Sequence, residues 1–117
     1  MFMNCVSLTD APALPATMLS TWCYYGMFDG CTALTSAPSL PATTLANSCY
    51  RAMFYGCSNL SSIEVAFTDW TDTATTHATE DWVTNVAASG TFTCPAALDT
   101  TTRDGSHVPA NWTIVNP

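Results

Sequence analysis

The sequence contains no lysine, and its only cationic side chains are Arg51 and Arg103. Against these two stand nine acidic residues, which give a formal net charge of −7. Binding to a phosphate backbone or to anionic lipid depends on clustered Lys and Arg side chains, which this chain lacks. We therefore expect neither nucleic acid nor an anionic membrane as a partner.

Long hydrophobic runs are also missing, although hydrophobic residues make up 48% of the 117 residues. A membrane-spanning helix needs about 20 consecutive apolar residues, so we expect no membrane insertion. The first five residues, Met1-Phe2-Met3-Asn4-Cys5, carry neither the basic nor the apolar region of a signal peptide. Charged residues make up only 9%, and 20 threonines supply much of the polarity. This composition excludes a disordered chain, and the length indicates one domain.

A repeat of 26 residues organises the first half of the chain. Residues 1–26 and 27–52 share 14 identities, and a third copy begins at Met53. The residues that recur at this spacing include Met1-Phe2, Met27-Phe28 and Met53-Phe54, and also Cys5, Cys31 and Cys57. A fixed period of about 20–30 residues is typical of stacked repeats.

Each repeat divides into a strand, a turn and a helix. Residues 34–37 predict a short strand, which Pro38 ends. The apolar residues from 45 to 54 are spaced like one face of a helix, and Gly56 is placed to end that helix in a left-handed conformation. The pattern therefore predicts an α/β solenoid, with short parallel strands on one face and short helices on the other.

This frame resembles the BspA-like leucine-rich repeat proteins, most clearly in Met27-Phe28-Asp29-Gly30-Cys31-Thr32-Ala33-Leu34 and Leu40-Pro41-Ala42-Thr43-Thr44-Leu45. The resemblance is strong over residues 1–65 and weaker over residues 92–115. It implies a right-handed leucine-rich-repeat solenoid from a surface or secreted protein of host-associated bacteria, used for adhesion and protein binding. The family has no shared catalytic residues, so the resemblance implies none here.

Residues 66–117 depart from the repeat, and we interpret them as degenerate coils that close the two and a half repeats of residues 1–65. Ile63, Phe92 and Ile114 lie in short stretches typical of strands, at spacings of 29 and 22 residues. Both spacings are close to the repeat length. We therefore expect the three strands to extend the same parallel ladder.

A polar loop and a helix are predicted between the first two of these strands. Residues 66–80 are rich in threonine and predict the loop. Thr79 can cap the helix, Glu80 and Asp81 suit its first turn, and Gly90 is placed to end it.

Five of the six cysteines follow the repeat. Equivalent residues of stacked coils lie about 5 Å apart, which predicts two structural ladders of thiols, one of Cys5, Cys31 and Cys57 and the other of Cys23 and Cys49. A buried thiol behaves as a small hydrophobic group. Disulfides are the alternative, whereas a zinc site is disfavoured because the chain has no Cys-x-x-Cys motif and only two histidines.

The sequence predicts a non-enzymatic protein without a metal or a cofactor. His77 and His107 fall in polar loops, and no Gly-x-Ser-x-Gly motif is present. A candidate calcium cluster consists of Asp69, Asp72, Glu80 and Asp81. Its spacing does not fit an EF-hand loop, and helix capping accounts for the last two residues.

Three aromatic residues, Trp22, Tyr25 and Tyr55, occupy positions that vary between the repeats. Variable positions of stacked repeats face solvent, and exposed aromatic side chains are typical of binding hot spots. These three are the candidate ligand-binding residues. Other aromatic residues lie on the inferred apolar face and are expected in the core, namely Phe28, Tyr50 and Phe54.

We expect a binding or adhesion module that recognises a protein or glycan on a host or neighbouring cell. The alternative is a structural component of a phage tail fibre or filament that assembles through its ends. That alternative arises because no capping segment precedes the first repeat, so that further repeats or a second copy would cover this end. A monomer favours adhesion, and a symmetric trimer or fibre favours the structural role.

Overall fold

The computed structural model describes residues 4–12, 14, 17–70 and 73–117. Among these residues the regular elements are short: strand β1 (Ser62–Glu64), helix α1 (Thr73–Thr76), strand β2 (Thr91–Thr93) and strand β3 (Thr113–Val115). The Met1-Phe2 copy of the repeat lies outside the described residues.

The three strands form one parallel sheet in the order β1-β2-β3. Ile63 pairs with Phe92, and Phe92 pairs with Ile114. The ladder predicted from spacings of 29 and 22 residues is therefore confirmed. The second repeat joins the same sheet through isolated parallel bridges, which are Ser36–Ser62 and Leu40–Val65.

The predicted α/β leucine-rich-repeat solenoid is wrong, because the helices that it requires on one face are absent. The only helix in the described part of the chain is the four-residue α1, which lies within the predicted polar loop. Residues 45–56 form no helix, and neither do the residues from Thr79 to Gly90. Gly90 has a different role, because a Cβ at this position would collide with the Ser61 carbonyl oxygen.

In place of helices, residues 22–30, 48–56 and 77–85 form chains of overlapping turns, which we call the turn ribbons. In the second ribbon alternate N–H groups bond to the carbonyl three residues earlier, as Met53 does to Tyr50 at 3.0 Å. An α-helix would instead send every N–H group to the carbonyl four residues earlier. The apolar spacing is the same in both structures, but the backbone hydrogen bonds differ.

The N–H groups that a ribbon does not use itself bind the next ribbon. Tyr24 donates to the Cys49 carbonyl at 3.0 Å, and Tyr50 donates to the Ala78 carbonyl at 2.8 Å. The residues that donate in the same way are Trp22, Gly26, Phe28 and Gly30 in the first ribbon and Ser48, Ala52, Phe54 and Gly56 in the second. Successive ribbons are therefore stacked by direct backbone hydrogen bonds.

Every fourth residue of a ribbon has a left-handed backbone. Positive φ angles occur at Trp22, Gly26, Gly30, Ser48, Ala52, Gly56, His77, Asp81 and Asn85. A left-handed residue interrupts right-handed helical propagation, which is why no helix forms. Gly56 has a φ of 75°, so its predicted left-handed conformation is confirmed, although it does not end a helix.

The side chains of a ribbon point inward and outward in pairs, and the inward ones build the core. Rings one repeat apart stack on each other: the centroids of Tyr24 and Tyr50 are 6.0 Å apart, and those of Phe28 and Phe54 are 5.7 Å apart. Trp82 of the third ribbon continues the stack at 6.0 Å from Tyr50. The core positions predicted for Phe28, Tyr50 and Phe54 are confirmed, because all three are fully buried.

Replacing Ala52 by glycine distinguishes a ribbon from a helix. Ala52 has a φ of 53°, a conformation that costs a residue with a Cβ about 1–2 kcal/mol. We expect Ala52→Gly to raise the free energy of unfolding by about 0.5–1 kcal/mol in urea denaturation. In a helix the same change would lower it by about 1 kcal/mol.

The matched control is Ala46→Gly. Ala46 is also half-buried, but its φ is not among the positive ones. We expect this change to lower the free energy of unfolding by about 0.5–1 kcal/mol. Equal losses in the two variants would contradict the ribbon.

Candidate functional site

The outward side chains of the three turn ribbons form one surface, which we call the outer face. Its members are Trp22, Tyr25 and Asp29 of the first ribbon, Arg51 and Tyr55 of the second, and His77, Glu80, Asp81 and Thr84 of the third. The hydrogen bonds between ribbons fix their register, so equivalent outward positions lie side by side. Tyr25, Arg51 and Glu80 thereby form one row across the three ribbons.

Trp22 and Tyr25 form an exposed aromatic pair at one end of this surface. The Trp22 side chain is 51% exposed and the Tyr25 side chain is 39% exposed. Their ring centroids lie 5.0 Å apart in an edge-to-face arrangement. The Arg51 guanidinium carbon lies 5.9 Å from the centroid of the Trp22 ring, within the range of a cation–π interaction.

A chain of charged groups holds Arg51 in this position. Its Nε lies 2.9 Å from Glu80 Oε2, and His77 Nδ1 lies 3.2 Å from the same oxygen. Exposed ion pairs of this kind contribute only about 0–1 kcal/mol to stability. Their consequence here is geometric, because Glu80 fixes the guanidinium group beside the Trp22 ring.

Tyr55 stands apart from the aromatic pair. It is 39% exposed and holds the ribbon position that Asp29 holds in the preceding ribbon. No ring contact joins Tyr55 to Trp22 or Tyr25 in the part of the chain that the structure describes. Burial raises the pKa of the Asp29 carboxyl above 3.8. The structure thus brings together two of the three predicted aromatic residues and places the third elsewhere on the outer face.

Arg51, Glu80 and His77 are part of this surface, and the sequence analysis did not identify them as site residues. The 26-residue spacing carried a signal for Arg51, because it places this residue beside Tyr25. Glu80 and His77 follow a 29-residue step and were assigned to a polar loop and a helix cap. Their pairing with Arg51 therefore had no signal in the repeat.

All six cysteines are free thiols, but they differ in exposure. Cys31, Cys49 and Cys57 are buried, Cys23 is half-buried and Cys5 is exposed. The Cys57 thiol donates to the Phe28 carbonyl at 3.0 Å. Burial raises the pKa of Cys49 to about 11 and that of Cys57 to about 12. The two ladders stay a prediction, with the first repeat's cysteines at the more exposed end.

The remaining candidate groups form no assembled metal site. Among the described residues no cluster of three or more His, Cys, Asp or Glu side chains could hold a metal ion. Glu80 is paired with Arg51, and Asp72 lies outside the described residues. His107 Nδ1 lies 2.9 Å from Asp104 Oδ1, so both predicted loop histidines contact a carboxylate.

Both arginines are engaged within the chain. Arg103 Nη1 donates to the Trp112 carbonyl at 2.8 Å, and Arg51 is held by Glu80. The described residues include no helix that is long and apolar enough to cross a membrane.

Comparison with known proteins finds no match, neither to a family model, nor to a curated protein, nor to a solved structure. The resemblance to BspA-like proteins therefore stays a prediction from the repeat frame. What the chain does has to be argued from the outer face itself.

Thiol reactivity tests the burial of the cysteines. We expect Cys5 and Cys23 to react with a thiol reagent in the folded protein, while Cys31, Cys49, Cys57 and Cys94 react slowly because they are buried. At pH 8 only about one Cys57 thiol in ten thousand is ionised when its pKa is about 12. After denaturation without reductant, all six should react. Fewer than six would show disulfides, and Cys57 reacting as fast as Cys5 would contradict its burial.

The stability of the loop around Asp104 should depend on acid pH. Burial would raise the pKa of Asp104, but hydrogen bonds from His107 and from the Ser106 N–H group outweigh it and hold the pKa below 3.8. A carboxyl with a lowered pKa stabilises the fold above its unfolded pKa, and this contribution is lost as the pH falls through the folded pKa. We expect the wild-type protein to exceed Asp104→Asn in free energy of unfolding at pH 6, with a smaller difference at pH 3. A constant difference at the two pH values would exclude this linkage.

Proposed function

We propose that this chain is a non-enzymatic recognition module whose outer face binds a protein or glycan partner. The binding centre is the pair of Trp22 and Tyr25, and Tyr55 contributes from the neighbouring ribbon. The module acts outside the cell, on a bacterial surface or as part of a secreted protein. This agrees with what the BspA-like frame implies about function, although the helical solenoid of that frame is absent.

The observation that carries the proposal is the exposure of an ordered aromatic pair. Trp22 is 51% exposed, yet its ring is in contact with Tyr25 and close to the Arg51 guanidinium. Aromatic and arginine side chains are the residue types most enriched at interface hot spots. Because these side chains are already held in place, a partner would lose little conformational entropy in ordering them.

The buried thiols are compatible with an oxidising environment. A thiol reacts through its thiolate, and the raised pKa values of Cys49 and Cys57 suppress that form. Burial also prevents contact with oxidants. A chain with these free thiols can therefore stay reduced in its core outside the cell.

Binding assays on variants of the aromatic pair test the proposal. The protein is screened against a glycan array and a panel of immobilised extracellular proteins, and Kd is measured for each partner that binds. We expect Trp22→Ala and Tyr25→Ala each to weaken binding by at least about tenfold, because loss of a hot-spot side chain costs about 2 kcal/mol or more. The control is Val115→Ala, which removes a side chain that is 41% exposed on the sheet rather than on the outer face.

The outcomes separate the two candidate roles. Binding that depends on Trp22 and Tyr25 but not on Val115, from a monomeric protein, supports recognition. Partners that bind both aromatic variants unchanged would contradict the proposed site. A symmetric trimer or fibre in light scattering, together with no binding partner, would favour the structural role instead.

A further inference from the structure

A second concave site lies between the third turn ribbon and the loop that precedes β3. It is an open groove of about 340 Å³, lined by residues 83–88 on one wall and by residues 104–105 and 109–111 on the other. This volume is at the lower end of the range for small-molecule sites. None of the aromatic residues of the outer face lines it.

Two asparagines stand on opposite walls of this groove. Asn85 and Asn111 both have left-handed backbones, with φ angles of 64° and 68°. The left-handed backbone explains why Asn or Gly occurs at such a position, and Gly30 and Gly56 hold the ribbon position that corresponds to Asn85. Glycine would therefore satisfy the backbone equally well, so the carboxamides are free to serve the groove.

The polar groups of the groove suit a neutral ligand with several hydroxyl groups. Each carboxamide offers two N–H donors and one acceptor oxygen. Asp104 supplies a carboxylate whose Oδ1 is already held by His107 and by the Ser106 N–H group, at 2.9 Å and 2.8 Å. That arrangement fixes the carboxylate and leaves Oδ2 without a partner among the described residues.

Charge and shape narrow the ligand class further. Asp104 is the only ionisable residue among those that line the groove, so an anionic ligand would be repelled and finds no cation to pair with. The apolar part of the lining consists of small groups, including Ala88, Pro109 and Ala110. Such groups fit the C–H faces of a sugar ring, while the polar groups bind its hydroxyls.

We propose that this groove binds a neutral saccharide of one or two rings, with Asn85 and Asn111 as donors and Asp104 as acceptor. The site goes beyond the proposed function, because it is separate from the aromatic pair and does not depend on it. Binding is weak, with Kd in the millimolar range, because the groove is open and offers few hydrogen bonds.

The test is a titration of the ¹⁵N-labelled chain with glucose, galactose, mannose and N-acetylglucosamine, followed by amide chemical shifts. The variants Asn85→Gly and Asn111→Gly remove the carboxamides and keep a backbone that tolerates a positive φ. Asn4→Gly is the matched control, because Asn4 has a φ of 61° and holds the same ribbon position as Asn85, but does not line the groove.

We expect saturable shifts for at least one sugar, confined to residues 83–88 and 104–111. Each groove variant should weaken binding by about tenfold, the loss that one or two hydrogen bonds represent, while Asn4→Gly binds as the wild type does. No saturable shift with any of the four sugars at concentrations up to about 50 mM would overturn the proposal. Shifts centred on Trp22 and Tyr25 would overturn it as well, since they would assign sugar binding to the outer face.

Discussion

Alternate backbone N–H groups of each turn ribbon leave their own coil and bind the next one, and the rest of the structure depends on this division. A buried N–H group without a partner is costly, so a non-helical segment must find acceptors elsewhere. Here the next ribbon supplies them, as the Ala78 carbonyl does for Tyr50 at 2.8 Å. The left-handed residues at every fourth position are the geometric condition for it. Their local strain is offset by the hydrogen bonds and by the stacked rings that the register brings together.

The same hydrogen bonds produce the surface that we assign to recognition. Because each ribbon is bonded to its neighbour, outward residues from different repeats are held in fixed rows. Arg51 reaches Trp22 from one side and Glu80 from the other, across three ribbons that are far apart in sequence. A surface with this much order resembles a binding site built on a rigid scaffold more than a set of independent loops. The acidic net charge of −7 makes a partner without strong negative charge the better fit.

The repeat period predicted contacts well, but it did not predict the local backbone. It placed Phe28 beside Phe54 and Tyr24 beside Tyr50, and the wider spacings placed Ile63, Phe92 and Ile114 in one ladder. The helices were wrong because apolar residues at 45, 49, 50, 53 and 54 repeat every four positions. A helix with 3.6 residues per turn and a ribbon that turns every four residues give nearly the same pattern over ten residues. Only the hydrogen bonds distinguish them, and these depend on the neighbouring coil.

The candidate sites were predictable to different degrees for the same reason. Exposure of Trp22, Tyr25 and Tyr55 followed from their variable positions in the repeat, because such positions point away from the stacked core. The pairing of Arg51 with Glu80 did not follow, since the third ribbon is offset by three residues. The groove also gave no sequence signal, because its walls come from two coils of unlike sequence. Asn85, at a position where other ribbons have glycine, is the closest that the sequence comes to marking it.

The ribbons are tested most directly by scalar couplings across hydrogen bonds, which a long-range HNCO experiment detects on the ¹³C,¹⁵N-labelled chain. Our account predicts a coupling from the Tyr50 amide nitrogen to the carbonyl carbon of Ala78, in the next ribbon. A coupling from Tyr50 to the carbonyl carbon of Ala46, four residues earlier, would show a helix and contradict the account.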